Sequence, residues 1–353
     1  RHQLAYGGGN LLGSGALAIA GIWLLYFYTT FCGLTLLQAS AIFSVASIID
    51  AISNPLMGYL SDNFGKTRLG KRFGRRRFFI LLGIPLMMVY PLLWVEGFGF
   101  WYYLSTYVLF ELIYTSVMVP YETLATEMTT DFSARSKLTG YKAIFGKIAN
   151  FLAAFIPGQF ILIYGKESAE PFFFTALTYG VILCVAMIML YISSWERPVE
   201  ETTPVDEKKM TLAKTMVTLV RDMKSTFHLR VFRKHLGMYL CGFGAEWLFA
   251  SVFTYFIIFV LQYDPAMVAG LSSLNSLLQL FSTAIFIGIC VKHGFSKPYI
   301  LALSIVVFSV VCYSLLHFLH LPQQYATAAM LAITVVFGIG TCLLYTSPSP
   351  RDA

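Results

Sequence analysis

Charge is scarce in this sequence. Asp, Glu, Lys and Arg make up 12% of its 353 residues, about half the share in a soluble globular domain. That excludes a protein kept in solution by a charged surface. Six cysteines (Cys32, Cys184, Cys241, Cys290, Cys312 and Cys342) all lie in or beside apolar stretches, and none forms a Cys-x-x-Cys pair. Small buried side chains are the reading, not metal or redox chemistry. The chain has no Gly-x-x-x-x-Gly-Lys-Ser/Thr loop, no zinc signature and no nucleophile elbow. An ATP-driven pump and a membrane hydrolase are thereby set aside. The protein is expected not to be an enzyme and to carry no cofactor or metal. The first apolar stretch is too long for a signal peptide and lacks a small-residue cleavage pattern. The chain opens on Arg1, so residues are expected to precede it in the whole protein.

Apolar sequence is what the chain has in abundance: 57% hydrophobic and 16% aromatic residues, with a mean hydropathy of +0.69. About 20 apolar residues span a bilayer as a helix. Ten segments qualify: roughly 10–32, 40–60, 78–96, 101–121, 141–163, 172–194, 237–261, 267–291, 298–319 and 325–345. The net charge of +7 is no nucleic-acid footprint, because the basic residues keep to alternate loops. Loops on one side, with the helix starts beside them, hold 22 Lys and Arg; the other side holds only Lys166. Cytoplasmic loops carry the excess, which predicts a cytoplasmic N-terminus and a multi-pass protein of the bacterial plasma (inner) membrane. The long polar stretch splits the chain into a six-helix half (1–194), a middle loop (195–236) and a four-helix part (237–345). Thr211 to His228 is a candidate amphipathic helix. Residues 346–353 leave the hydrophobic pattern abruptly and read as a non-native tail.

The chain is organised around Ile48 to Leu82. Asp50 sits in the middle of an apolar segment, with Asn54 one helical turn on. A carboxylate inside a membrane helix is expensive and therefore a functional candidate by default. Gly58 and Asp62 follow, then seven Lys/Arg between Lys66 and Arg77. A small residue allows close helix approach, and an acid facing Gly-Arg-Arg-Arg can lock that end.

Gly58-x-x-x-Asp62 followed by Gly74-Arg75-Arg76 resembles the loop between helices two and three of the major facilitator superfamily. Asp50-Ala-x-x-x-Pro55-x-x-Gly58 is similar to the glycoside-pentoside-hexuronide:cation symporters, the melibiose-permease-like branch. Arg135-x-x-Leu138 and Val119-Pro120-Tyr121-x-x-Leu124 extend the resemblance to span five. It implies an all-α membrane protein with the major facilitator fold, about ten of an expected twelve helices being present. It also implies secondary active, cation-coupled symport of a sugar, glycoside or uronide by alternating access. No nucleic acid is an expected partner; the bilayer, the solute and a cation are, and a monomer is expected.

The resemblance also implies roles. Asp50 matches the first coupling acid and Asn54 stands at the second. The acids of helices one and four fall on Ser14 and Met118. One carboxylate is a thin cage for sodium, whereas a buried acid suits a proton, so H+ is expected and Na+ is the second choice. Lys142 stands where many members have Arg, keeping the charge without the fork. Lys142 and Lys147 either meet substrate in a wet cavity or snorkel to the interface. Tyr121 offers a stacking face, Glu122 occupying a position where Trp is common. Asp62 with Arg75 or Arg76, and Asp131 with Arg135, form expected gating pairs. Glu111 and Glu246 are either further protonation sites or hydrogen-bonded structural acids. Trp23 and Tyr26 either stack on sugar or pack against neighbours. The lysines tilt the substrate toward a glucuronide or oligogalacturonide. A neutral disaccharide, and a lysolipid or drug carried by the same superfamily, are the alternatives.

Overall fold

The computed structural model describes residues 2–129, 131–196, 221, 224–293, 296–319 and 322–346. Among them every regular element is helical. Ten long helices, numbered in order, are α1 (His2–Thr30), α2 (Leu36–Asn63), α3 (Arg77–Trp94), α4 (Phe100–Met128), α5 (Phe132–Tyr164), α6 (Glu170–Ser193), α7 (Arg230–Tyr255, continued by a π turn over Phe256–Val260), α8 (Pro265–His293), α9 (Ser296–Leu319) and α10 (Gln323–Thr346). All ten apolar segments are thus helices, and the chain is a multi-pass membrane protein. The expected middle-loop helix lies mostly outside the described residues, as do residues 347–353.

The helices outrun the apolar runs that announced them, because caps rather than hydropathy set their ends. α5 begins at Phe132 instead of 141, since the Asp131 carboxylate accepts the Ala134 N–H at 2.9 Å. α2 begins at a capping box of Thr35 with Gln38. Pro85 and Pro91 remove two donors from α3, and its second half, Met87–Trp94, tightens to a 3-10 helix.

The helices form two groups. In the first, α2 packs on α4, and α1 lies against α5 and α6; in the second, α8 and α9 pack on α10. The groups meet along α1 with α7 and along α5 with α8. The α2–α4 pairing reappears as α8–α10, which is the mark of a repeated six-helix unit.

α1 is the distorted element. Leu11–Ala16 and Ala20–Leu24 run in π register, a form concentrated at functional sites. Its carbonyls are met by hydroxyls from neighbouring helices. Tyr121 donates to Tyr6 O at 2.7 Å, Tyr179 to Leu11 O at 2.8 Å, Tyr114 to Gly13 O at 3.0 Å and Tyr90 to Ala16 O at 3.2 Å. From the second group, Thr254 donates to Ile22 O and Tyr255 to Leu25 O, both at 3.0 Å. In a medium without water these bonds satisfy backbone that a regular helix would satisfy itself. A Cβ on Gly15 would land on the Tyr179 hydroxyl, so only glycine lets α6 come this close. Gly58, expected to provide close helix approach, faces open space: a Cβ there meets nothing within 4 Å.

Candidate functional site

A cavity of about 890 Å³ lies between α1, α5, α7, α8 and α10. Its polar wall includes Asn10, Ser14, Lys147, Asn150, Ser276 and Gln279, and its apolar wall includes Leu17, Ile144, Phe249, Phe253 and Phe337. Lys147 is the one charged side chain among the described residues that line it. Its ammonium donates to Gln279 Oε1 at 2.7 Å, and Gln279 Nε2 donates to Thr341 at 3.0 Å. Of the residues expected to bind substrate, Lys147 alone is on this wall. Sequence reading missed Gln279, because a glutamine in an apolar run carries no motif.

Away from the basic loops, side chains beyond the cavity join the two groups. Tyr255 meets Thr29 at 2.5 Å, and its ring packs on Tyr26. Lys166 pairs with Asp264 at 3.0 Å.

Asp50 is not on the cavity wall. It sits on the seam of α2 with α4, where Thr115 donates to Oδ1 at 2.5 Å and Asn54 to Oδ2 at 2.8 Å. Glu111 stands one turn along α4 from Thr115, beside Tyr107 and within electrostatic reach of Asp50. The structure therefore brings Asp50, Asn54 and Glu111 together and adds Thr115. Asp50, Glu111 and Thr115 supply hard oxygen atoms of the kind that bind a proton or a small cation, while Asn54 turns its amide N–H groups to Asp50. Thr115 was hidden in the sequence, since a threonine in a span reads as an ordinary polar residue that bonds its own helix. Lys142 does not pair with Asp50.

The other expected substrate residues are spent on one another. Lys142 forms an ion pair with Glu122 and lies over the Tyr121 ring, 5.5 Å from its centroid. Tyr121 stacks on Tyr6. Trp23 and Tyr26 are buried in an aromatic cluster with Phe172, and Trp94 stacks on the same Phe172. Glu246 lies on α7, and its side chain is outside the described residues.

At the basic end the acid-to-guanidinium lock has more members than the motif. Arg76 donates to Asp62 at 2.7 Å and to Glu127 at 2.9 Å, and Arg75 reaches Glu127 at 2.5 Å. The Glu196 carboxylate accepts the backbone N–H groups of Arg75, Arg76 and Arg77 at 2.9, 2.9 and 2.6 Å. It thus caps the N-terminus of α3, where the helix dipole favours a negative charge. Glu127 and Glu196 escaped sequence reading because both partners are more than 50 residues away. Asp131 does not pair with Arg135 among the described residues; its carboxylate is used as the α5 cap.

Comparison with known proteins gives one family over nearly the whole chain: residues 5–350 match the family described as MFS/sugar transport protein. A glucuronide carrier protein homolog of Escherichia coli is 26% identical over 198 residues, which is 54% of this chain and 42% of that protein. Sodium-dependent lysophosphatidylcholine symporter 1 of Mus musculus is 30% identical over 135 residues, covering 35% of this chain and 24% of that one. The matched stretches thus span less than half of these relatives' own length. Among solved structures, a D-xylose-proton symporter superposes with a TM-score of 0.64 at 15% identity, covering 98% of this chain and 85% of the other. That likeness concerns the fold.

Proposed function

This chain belongs to the MFS/sugar transport protein family, and on that premise we propose that it is a cation-coupled symporter of a sugar-sized solute bearing one anionic group. The observation that carries the reading is the Lys147 ammonium on the wall of an 890 Å³ cavity shared by both helix groups. A uronide carboxylate meets that charge, and Asn10, Ser14 and Asn150 offer partners to sugar hydroxyls. With the basic loops in the cytoplasm of a bacterial plasma membrane, closure through Tyr255 and Lys166 makes this the inward-facing state.

We place cation coupling apart from substrate, on the α2–α4 seam. Asp50 takes the coupling proton there and changes charge as the solute binds. Sodium is the second reading, supported by the oxygens that Thr115 and Glu111 add near Asp50. The membrane potential supplies about 2.3 kcal/mol per charge per 100 mV. Arg76 with Asp62 and Glu127 holds the basic ends of α2, α3 and α4 in register while the halves rock.

A second substrate reading rests on the apolar wall of Leu17, Ile144, Phe249, Phe253 and Phe337, together with the lysophosphatidylcholine symporter among the relatives. It is an anionic amphiphile, with its head at Lys147 and its tail on that wall.

The test is external pH in lightly buffered, de-energised cells given a panel of sugars and uronides, with and without sodium. Alkalinisation with a uronide supports proton symport of an anionic sugar. Sodium-dependent uptake without a pH change moves the coupling to sodium. Silence across the panel, with uptake of a labelled lysolipid, replaces the sugar by the amphiphile.

A further inference from the structure

The connection between α2 and α3 holds more positive charge than the lock uses. Of its seven Lys and Arg, Arg75 and Arg76 face carboxylates. Arg77 donates to Tyr191 O at 2.8 Å and lies over the Tyr191 ring. Lys66, Arg68, Lys71 and Arg72 remain. All four are exposed, and none is in an ion pair among the described residues. Lys66 reaches the Asn63 amide oxygen at 3.4 Å, and Arg72 lies over the Phe73 ring.

Four such cations on an irregular loop would be solvated charge and nothing more, but here they stand on a folded platform. Phe64–Lys66 forms a 3-10 turn and Arg68–Phe73 a six-residue helix. Thr67 joins the two: its hydroxyl donates to Phe64 O at 2.8 Å and accepts the Gly70 N–H at 3.0 Å. A Cβ on Gly70 would stand 2.1 Å from Phe64 O, so only glycine lets the helix lie flat on the turn. Phe64 stacks on Phe78 at 4.7 Å and packs against Phe79, and Phe73 also packs on Phe78. These rings of the first turn of α3 pin the inner face of the platform. The helical period sorts the rest. Gly70 and Phe73, three apart, turn inward, while Arg68, Lys71 and Arg72, three and four apart, share the outer face. Leu69 borders that face and is 49% exposed.

The apolar run of α2 ends at Leu60 and that of α3 begins at Phe78, so the platform stands where hydrocarbon gives way to headgroups. A basic face bordered by an exposed leucine at that depth is the pattern of an interfacial helix. Clusters of Lys and Arg directly beside a span attract anionic lipid.

We propose that Lys66, Arg68, Lys71 and Arg72 form a site for the phosphate of an anionic glycerophospholipid, with Leu69 seated on its acyl chains. The lipid supplies the negative charge that the described protein does not, through charge-assisted bonds that an arginine fork makes bidentate. A zwitterionic lipid brings its own cation and gains less. Bound lipid holds the platform to the membrane surface, and with it the adjoining Arg75 and Arg76 of the lock. The site depends on neither the solute nor the coupling ion.

The test titrates the purified full chain in neutral detergent with phosphatidylglycerol or phosphatidylcholine. Native mass spectrometry reads the dissociation constant of the first retained lipid. Phosphatidylglycerol binds about tenfold tighter or more, and the preference shrinks as salt is raised. Arg68→Gln with Lys71→Gln weakens phosphatidylglycerol about 25-fold, about fivefold per charge, and leaves phosphatidylcholine within about twofold. Neither side chain gives up an ion pair, so the fold is kept. Arg233→Gln with Lys234→Gln removes the same charge from exposed positions on α7 and changes phosphatidylglycerol binding by less than about twofold. Equal losses in the two double variants would reduce the effect to net charge and overturn the proposal. Equal binding of the two lipids by the wild-type chain would overturn it as well. So would full displacement of phosphatidylglycerol by inorganic phosphate at the same concentration, because the ligand would then be a free anion and not a lipid.

Discussion

Replacing Glu127 by Gln perturbs the basic-end lock far more than replacing Asp62 by Asn, although only Asp62 belongs to the recognised motif. Glu127 accepts from Arg75 at 2.5 Å and Arg76 at 2.9 Å, with its side chain 9% exposed and theirs 14% and 10%. Breaking a buried pair from one side costs about 3–5 kcal/mol. The Gln oxygen still accepts one N–H and Asp62 still offsets part of the charge, which brings the figure to about 2–3 kcal/mol. That is about 30- to 150-fold in the equilibrium that favours the locked arrangement. Asp62 is 59% exposed, and a pair open to solvent contributes about 0–1 kcal/mol. Thermal unfolding of the purified chain, followed by intrinsic tryptophan fluorescence, separates the two. The midpoint falls by about 5 °C or more for Glu127→Gln and by less than about 2 °C for Asp62→Asn. Equal drops, or a larger one for Asp62→Asn, would refute the argument that burial decides which member of the network matters.

Asp50→Asn abolishes gradient-driven accumulation while counterflow of labelled solute continues; accumulation at the wild-type level would show that coupling lies elsewhere. Thr115→Val removes the hydroxyl that donates to Asp50 and weakens the coupling cation by about tenfold, read as the cation concentration giving half-maximal uptake. Gly15→Ala drives a methyl into the Tyr179 hydroxyl and costs about 1–3 kcal/mol in thermal unfolding, whereas Gly58→Ala stays within about 0.5 kcal/mol of wild type. In intact cells, Glu167→Cys in an otherwise cysteine-free chain reacts with a membrane-impermeant maleimide and Lys71→Cys does not. The reverse pattern would invert the topology.

Hydropathy alone made the ten helices legible, because a segment that must cross hydrocarbon is forced to be apolar along its whole length. The uneven distribution of Lys and Arg sets an expected orientation for the same reason: charge is excluded from the span and collects in the loops. Asp50 was visible because a carboxylate in such a segment is conspicuous, and Asp62 with Arg75 and Arg76 because they fall within one short motif. Helix ends were misplaced wherever a cap outweighed hydropathy, as at Asp131, whose carboxylate caps α5 instead of meeting Arg135. The tertiary structure decided what is adjacent. It moved Asp50 onto a seam with Thr115, paired Lys142 with Glu122, buried Trp23 and Tyr26 among aromatics, and left Lys147 on the cavity wall facing Gln279. None of these pairings has a local signature. The partners lie on different helices, and the bilayer fixes how long a helix is without saying which neighbour it will meet. That choice falls to side-chain packing and to the need to satisfy each buried polar group, and both are settled only when the helices come together.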